Sequence, residues 1–149
     1  MAGPEAPSDT VITAWARLLR AQRKALDGVE ADLKAAGFPP LGWYDALLEL
    51  RRAGAEGLRP LQLEPRLLLE QHNISRLVDR LVQARFVARK PCPTDGRGYI
   101  LTLTDQGADL LRRMWPVYRA AIQRHVGSKL ASEADAARLA ELLAPIMRD

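Results

Sequence analysis

The sequence has few of the features that mark secreted and membrane proteins. Its 149 residues include one cysteine, Cys92, so no intramolecular disulfide can form and a reducing compartment is expected. No stretch approaches the roughly 20 apolar residues that span a bilayer. The segment Met1–Asp9 has neither a basic region nor an apolar run. We therefore expect no secretory signal, no membrane contact and a cytoplasmic location.

The motifs of common enzyme classes are also absent. The sequence has no P-loop, no dinucleotide-binding glycine pattern, no nucleophile elbow and no His-Glu-x-x-His segment. His72 has no second histidine or cysteine at ligand spacing to complete a zinc site. We therefore expect a protein that is not an enzyme and has no cofactor or metal. Its 48% hydrophobic content indicates a globular chain with a core.

One segment of the sequence is strongly basic. The stretch 71–98 holds six basic and two acidic residues, which equals the formal net charge of +4 of the whole chain. The basic residues are Arg76, Arg80, Arg85, Arg89, Lys90 and Arg97. Clustered lysine and arginine release the counterions of duplex DNA, so this segment predicts a DNA-binding surface. A solvated charged face is the alternative interpretation.

Apolar periodicity predicts a mainly α-helical chain with a small β component. The expected helices span 10–36, 41–53, a short stretch from near Pro60, a stretch from near Gln71, 105–126 and 132–147. Asp9 or Thr10 is expected to cap the first helix, and Gly37 to end it. Pro65 should leave the third helix short or irregular, because proline lacks an N–H and crowds the preceding turn.

The helix from near Gln71 has one apolar and one polar side. Its apolar stripe consists of Ile74, Leu77, Val78 and Leu81. The opposite side is polar throughout, from His72 through Arg76 to Gln83. Asparagine, glutamine, serine and arginine pair with base edges in the major groove, so this side is a candidate reading face.

A two-stranded ribbon is expected after this helix. The Asp95-Gly96 pair predicts a hairpin turn within Thr94–Gly98. In the second strand, Tyr99, Leu101 and Leu103 should point to one side, and Ile100, Thr102 and Thr104 to the other. Thr104 is then placed to cap the long helix that follows.

The terminal helices carry more apolar surface than the central segment can cover. This excess predicts a two-fold homodimer in which helices of two chains intertwine. We therefore expect a disordered tail over 1–9, a helical dimerisation region over 10–36 and 105–149, and a DNA-binding region over 41–104.

In this order of elements, the chain resembles the MarR family of bacterial transcription regulators. The resemblance covers about residues 10–147 and is sharpest in Asn73-Ile-Ser-Arg-Leu-Val-Asp-Arg-Leu81, in Asp95-x-Arg97 and in Leu103-Thr104-x-x-Gly107. It implies a homodimeric winged helix-turn-helix protein, a repressor that binds a palindromic double-stranded DNA operator and is released by a small aromatic or anionic effector.

The resemblance also implies roles for individual residues. The base and phosphate readers would be Gln71, His72, Asn73, Ser75 and Arg76. Arg97 would enter the minor groove at the tip of the ribbon, with Asp95 orienting it. From the basic segment we add Arg80, Arg89 and Lys90 as DNA-binding residues. The family's effector cleft would be lined by Trp15, Trp43, Tyr44 and Trp115, although tryptophans are more often core residues.

Arg85, Cys92 and the class of function each allow more than one interpretation. Arg85 stands where the family's recognition helix commonly ends in glycine, and a left-handed conformation there would cost on the order of 1 kcal/mol. Cys92 would be a candidate oxidation sensor if Arg89 and Lys90 lower its pKa. A winged-helix adaptor for protein–protein contact is the alternative function, but the outer face of its fourth helix should be apolar or acidic.

Overall fold

The structure, a computed structural model, describes residues 5–92, 94, 96 and 98–148. Across these residues there are six α-helices and one two-stranded antiparallel sheet. The helices are α1 (Asp9–Ala35), α2 (Leu41–Ala53), α3 (Pro60–Leu63), α4 (Ile74–Gln83), α5 (Asp105–His125) and α6 (Glu133–Leu143). The strands are β1 (Val87–Pro91) and β2 (Tyr99–Leu103). The predicted winged helix-turn-helix fold with long terminal helices is confirmed.

Helix α1 is defined by clear signals at both ends. The Ser8 hydroxyl accepts a hydrogen bond from the Val11 N–H at 3.2 Å, so the prediction of Asp9 or Thr10 as the cap was wrong. At the other end Gly37 has a φ of 80°. The N–H of Phe38 donates to the carbonyl of Leu33 at 3.0 Å, which closes the helix in a Schellman motif. The expected tail over 1–9 falls partly on residues 1–4, which lie outside the described residues.

The chain divides into two compact units, of which Asp32–Arg119 is one. This unit contains the whole 41–104 segment and most of the buried apolar side chains. Its fully buried side chains include Leu33, Leu47, Leu50, Leu63, Val78, Leu81, Leu101, Leu111 and Met114. Helix α3 has a single α-helical turn and continues as a 3-10 turn over Glu64–Arg66, as Pro65 predicts.

The ribbon pairs β1 with β2 in the register Val87↔Leu103 to Pro91↔Tyr99. A third segment joins it, because Leu58 and Leu101 exchange backbone hydrogen bonds at 3.0 and 2.8 Å. The expected alternation along β2 agrees with the structure, because an added β-carbon at Gly57 would lie 2.5 Å from the Ile100 methyl carbon and 2.9 Å from that of Thr102, on one side of the strand. Leu101 and Thr102 are both buried, since Gly57 packs against the side that carries Thr102.

The second compact unit consists of the described residues of Met1–Ala31 and Ala120–Asp149. Helix α6 is shorter than expected and continues as a 3-10 turn over Ala144–Met147. An apolar groove of about 470 Å³ runs through this unit. It is lined by Val11, Ala14, Trp15, Arg17, Leu18, Ala21, Leu139, Leu142, Leu143 and Ile146. Within the described part of the chain, no helix is long and apolar enough to cross a membrane.

Candidate nucleic-acid interface

Helix α4 is amphipathic in the way that the sequence predicts. Leu77, Val78 and Leu81 are buried and Ile74 is half-buried. The exposed side chains on and just before the helix are His72, Asn73, Ser75, Arg76, Asp79, Arg80 and Gln83. All of them are polar, so α4 presents hydrogen-bonding groups to solvent and no apolar surface that an adaptor would need.

The start of α4 differs from the prediction. The helix begins at Ile74 and not near Gln71, because Asn73 is its N-cap. The Asn73 side-chain oxygen accepts a hydrogen bond from the Arg76 N–H at 3.0 Å, which satisfies a backbone donor that the first turn would otherwise leave unpaired. Gln71 and His72 therefore lie on the segment that leads into the helix.

Gln71 and His72 have different surroundings on that segment. His72 is exposed, whereas Gln71 is half-buried against α2. An added β-carbon at Gly42 would lie 2.8 Å from the Gln71 side-chain nitrogen. Gly42 therefore leaves the space that Gln71 fills, and this contact ties the segment before α4 to the first turn of α2.

The junction between α4 and the ribbon contains the strained residue that the sequence pointed to. Arg85 has a φ of 66°, the left-handed conformation expected where the family has glycine. Its carbonyl accepts a hydrogen bond from the Thr104 hydroxyl at 2.7 Å. The same hydroxyl accepts from the Gly107 N–H at 3.1 Å, which confirms Thr104 as the cap of α5. One side chain thus joins α4, the ribbon and α5.

Arg89 and Lys90 are adjacent on β1 but lie on opposite faces of the ribbon. Arg89 forms an ion pair with Asp79 of α4, and its guanidinium carbon lies 5.1 Å from the centre of the Tyr99 ring. The hydrogen bond with Asp79 raises the pKa of Arg89 above its ordinary value. Lys90 is exposed and lines a groove of about 330 Å³ together with Arg51.

The tip of the ribbon holds the two remaining DNA-contact predictions. Asp95 and Arg97 lie outside the described residues. Nearby, Cys92 is buried, and the Arg59 guanidinium donates to its sulfur at 2.9 Å. The neighbouring cation is therefore Arg59, which the sequence did not single out for this position, because the two residues are 33 positions apart.

The four aromatic residues expected to line an effector cleft do not form one ring cluster. The Tyr44 and Trp115 rings are stacked with centroids 6.5 Å apart, and Tyr118 meets Tyr44 edge-on at 5.0 Å. Trp43 instead packs edge-on against Phe86 at 6.1 Å. Trp15 belongs to the other compact unit, where it lines the apolar groove.

Asp45 is a buried acid that the sequence reasoning missed. Its carboxylate accepts a hydrogen bond from the Leu69 N–H at 3.1 Å and is 4% exposed. Burial raises the pKa of this carboxyl group above its ordinary value. Burial also raises the pKa values of Tyr44 and Tyr118, which line the same cavity of about 30 Å³. The available signal was an acid at position 45, one helical turn after Leu41 on the apolar side of α2.

Comparison with known proteins agrees with this geometry. A MarR family model matches residues 36–98, which include α2, α3, α4 and β1. The regulator MhqR of Bacillus subtilis is 31% identical over 127 residues, covering 85% of this chain and 83% of that protein. An uncharacterised regulator of the same organism, YkoM, is 32% identical over 105 residues, covering 70% of this chain and 66% of that protein.

A solved structure extends the likeness to nearly the whole chain. Sco3205, a MarR family transcriptional regulator from Streptomyces coelicolor that was crystallised in complex with DNA, superimposes with a TM-score of 0.85 at 25% identity. The match covers 98% of this chain and 91% of that one. The likeness therefore includes the terminal helices as well as the segment matched by the family model.

Proposed function

Because the chain belongs to the MarR family of transcription regulators, we propose that it binds a palindromic DNA operator as a homodimeric repressor, in the cytoplasm. The observation that carries the proposal is the outer face of α4, which is exposed, entirely polar and rich in arginine. A helix of this kind fits the major groove, where arginine, asparagine and serine side chains pair with base edges.

The proposed DNA contacts divide into base readers and phosphate contacts. His72, Asn73, Ser75 and Arg76 stand at the N-terminal end of α4, the part of a recognition helix that reaches base edges. Gln71 is proposed to support this end from its place against Gly42. Arg80, one turn further along α4, is exposed and suited to a phosphate.

The ribbon supplies the second part of the proposed interface. Lys90 is exposed and shares its groove with Arg51, so two cations lie together on this face. Arg97 remains proposed as the minor-groove residue and Asp95 as its orienting partner, on the strength of the sequence motif alone. A narrow minor groove concentrates negative potential, which favours an arginine at that place.

The homodimer is supported by the apolar surface of the terminal unit. Trp15 is 61% exposed, Leu142 53% and Ile146 67% in the single chain. A contiguous apolar groove of about 470 Å³ is unusual on a monomeric surface and is typical of a protein interface. A second copy is the proposed occupant, because two identical recognition helices match a palindromic operator.

The homodimer can be tested by placing a charged side chain in this groove. Leu142→Glu should change the solution mass from twice 16.5 kDa to 16.5 kDa, because the carboxylate would be buried without a partner. Ala137→Glu is the matched control, since Ala137 is exposed on the same helix and does not line the groove. Light scattering after gel filtration gives the mass. A dimeric Leu142→Glu variant would place the interface elsewhere.

Effector release completes the proposal. Tyr44, Trp115 and Tyr118 form the aromatic cluster at which a small aromatic effector would bind. The cavity beside them, about 30 Å³, holds about one water molecule, so the rings must move apart to admit an effector. Asp45 lines this cavity, and its carboxylate disfavours an anion there. An aromatic molecule without negative charge is thus the proposed effector class.

The proposed function is tested by selecting duplexes from a randomised DNA library with the purified chain. We expect an enriched sequence with two inverted half-sites, whose centres are about one helical turn, roughly 34 Å, apart. Enrichment of a single unrepeated half-site would contradict the homodimer. A library without any enriched sequence would contradict sequence-specific DNA binding and favour an adaptor.

A further inference from the structure

The Arg89 side chain connects the recognition helix to the ribbon. It starts from β1, forms an ion pair with Asp79 on α4 and lies over the ring of Tyr99 on β2. The ion pair is partly exposed, at 38% for the Arg89 side chain and 58% for that of Asp79. Three elements that the DNA must meet in a fixed arrangement therefore converge on one guanidinium group.

Arg89 has a partner on each of the other two elements. The carboxylate of Asp79 accepts a hydrogen bond from its guanidinium, and the guanidinium carbon lies over the Tyr99 ring, 5.1 Å from the ring centre. An arginine carries several N–H donors on one extended group, so it can pair with the acid while that group stays over the ring. A lysine ammonium is a compact charge that lies either beside the acid or over the ring.

The position of Asp79 on α4 shows why its carboxylate needs a neighbouring cation. It lies on the exposed side of α4, next to Arg80 and one turn after Arg76. An isolated carboxylate there would repel the phosphates of any duplex that α4 enters. Arg89 neutralises this charge from β1, whereas Lys90 on the opposite face of the ribbon has no acid that pairs with it among the described ion pairs.

We propose that Arg89 is a positioning residue that sets the angle between α4 and the ribbon and neutralises Asp79, and that it does not contact a DNA phosphate. This inference rests on the proposed DNA-binding function and replaces the sequence-based assignment of Arg89 to the DNA contacts. It makes Asp79 and Tyr99 determinants of DNA specificity through their contacts with Arg89.

The test compares DNA binding by the full-length wild type with that of Arg89→Gln, Arg89→Lys, Asp79→Asn and the double variant Asp79→Asn/Arg89→Gln. The probes are a duplex selected by the wild type and a shuffled duplex of the same composition. Anisotropy titrations over a salt series give both the preference for the selected duplex and the salt slope. Lys90→Gln is the matched control, because it removes one cation from the same strand. Circular dichroism confirms that each variant is folded.

A positioning role predicts a loss of preference without a loss of counterion release. Arg89→Gln and Arg89→Lys should both reduce the preference for the selected duplex, roughly tenfold, because the base-reading residues are misplaced. The salt slopes of Arg89→Lys and of the double variant should stay at the wild-type value, because neither leaves an unpaired carboxylate at position 79, whereas Lys90→Gln should reduce the slope by about 0.9. The double variant should be no worse than Arg89→Gln, because both changes remove one shared interaction.

A phosphate contact predicts a different set of results. Arg89→Gln and the double variant would then both reduce the salt slope by about 0.9 on both duplexes, and Arg89→Lys would keep the wild-type slope and preference, since either cation neutralises a phosphate. That pattern, or additive effects in the double variant, would overturn the positioning role and leave the DNA-binding function intact. If the wild type itself shows no preference for any duplex, the proposed function and this inference both fail.

Discussion

Asn73 has a capping role and a proposed base-reading role, so its substitution by alanine cannot by itself show whether it reads a base. It is proposed as a base reader, but its side-chain oxygen also caps α4 by accepting the Arg76 N–H at 3.0 Å. An alanine at this position removes both functions together. The loss of DNA binding by Asn73→Ala would therefore not reveal whether Asn73 reads a base.

Serine separates the two roles of Asn73, because its hydroxyl caps a helix about as well but cannot offer the paired acceptor and donor of an amide. Asn73→Ala should lower the free energy of unfolding by about 1 kcal/mol, the usual effect of losing an exposed cap, and Asn73→Ser by a few tenths. If Asn73 reads a base, both variants should lose about 1–3 kcal/mol of preference between the selected and the shuffled duplex.

Two measurements on the same samples complete this comparison. Urea unfolding followed by circular dichroism gives the stability of each variant, and anisotropy titrations give the preference. We expect Asn73→Ser to be nearly as stable as the wild type and yet to discriminate poorly. A serine variant that discriminates as well as the wild type would refute base reading and leave Asn73 as a cap only.

Three further predictions concern the framework. Gly57→Ala should lower the free energy of unfolding by roughly 1–3 kcal/mol more than Gly54→Ala does. Both glycines have a φ of 66°, but only at Gly57 would a β-carbon meet the ribbon backbone. Equal losses of stability in urea unfolding would refute this packing. Arg85→Gly should raise stability by up to about 1 kcal/mol, and an unchanged urea midpoint would show that the left-handed residue is unstrained. Because the pKa of Asp45 is raised from 3.8, its contribution to stability is complete below that value and is lost as the pH rises through the raised pKa. Asp45→Asn should therefore gain stability relative to the wild type between pH 4 and pH 7, and a constant difference would contradict the assignment.

The helices and the reading face could be predicted from the sequence because they depend on local patterns. The stripe from Ile74 to Leu81 has the spacing of one helix face, and α2 ends before Gly54, which adopts a positive φ. The conformation of Arg85 followed from its place at a position where the family has glycine. Such features are fixed by neighbouring residues and need no knowledge of tertiary contacts.

The contacts that organise the candidate interface were not predictable, because they join residues that are distant in sequence. Arg59 reaches Cys92 across 33 positions, and Asp45 reaches the backbone of Leu69 across 24. Arg89 resembled any other cation of the basic segment in the sequence, whereas the structure pairs it with Asp79 of the recognition helix. Nor does periodicity distinguish a capping Asn73 from one in the first turn, which explains the three-residue error at the start of α4.

The most direct test of sequence-specific binding through the basic face of α4 and the ribbon is an anisotropy titration of the wild type against the selected and the shuffled duplex over a salt series. We predict that the selected duplex binds at least about 10³-fold more tightly at physiological salt. For both duplexes, the logarithm of the binding constant should fall linearly with the logarithm of the salt concentration. The slope should be about −0.9 for each phosphate that is neutralised. Equal affinity for the two duplexes at every salt concentration would contradict the account.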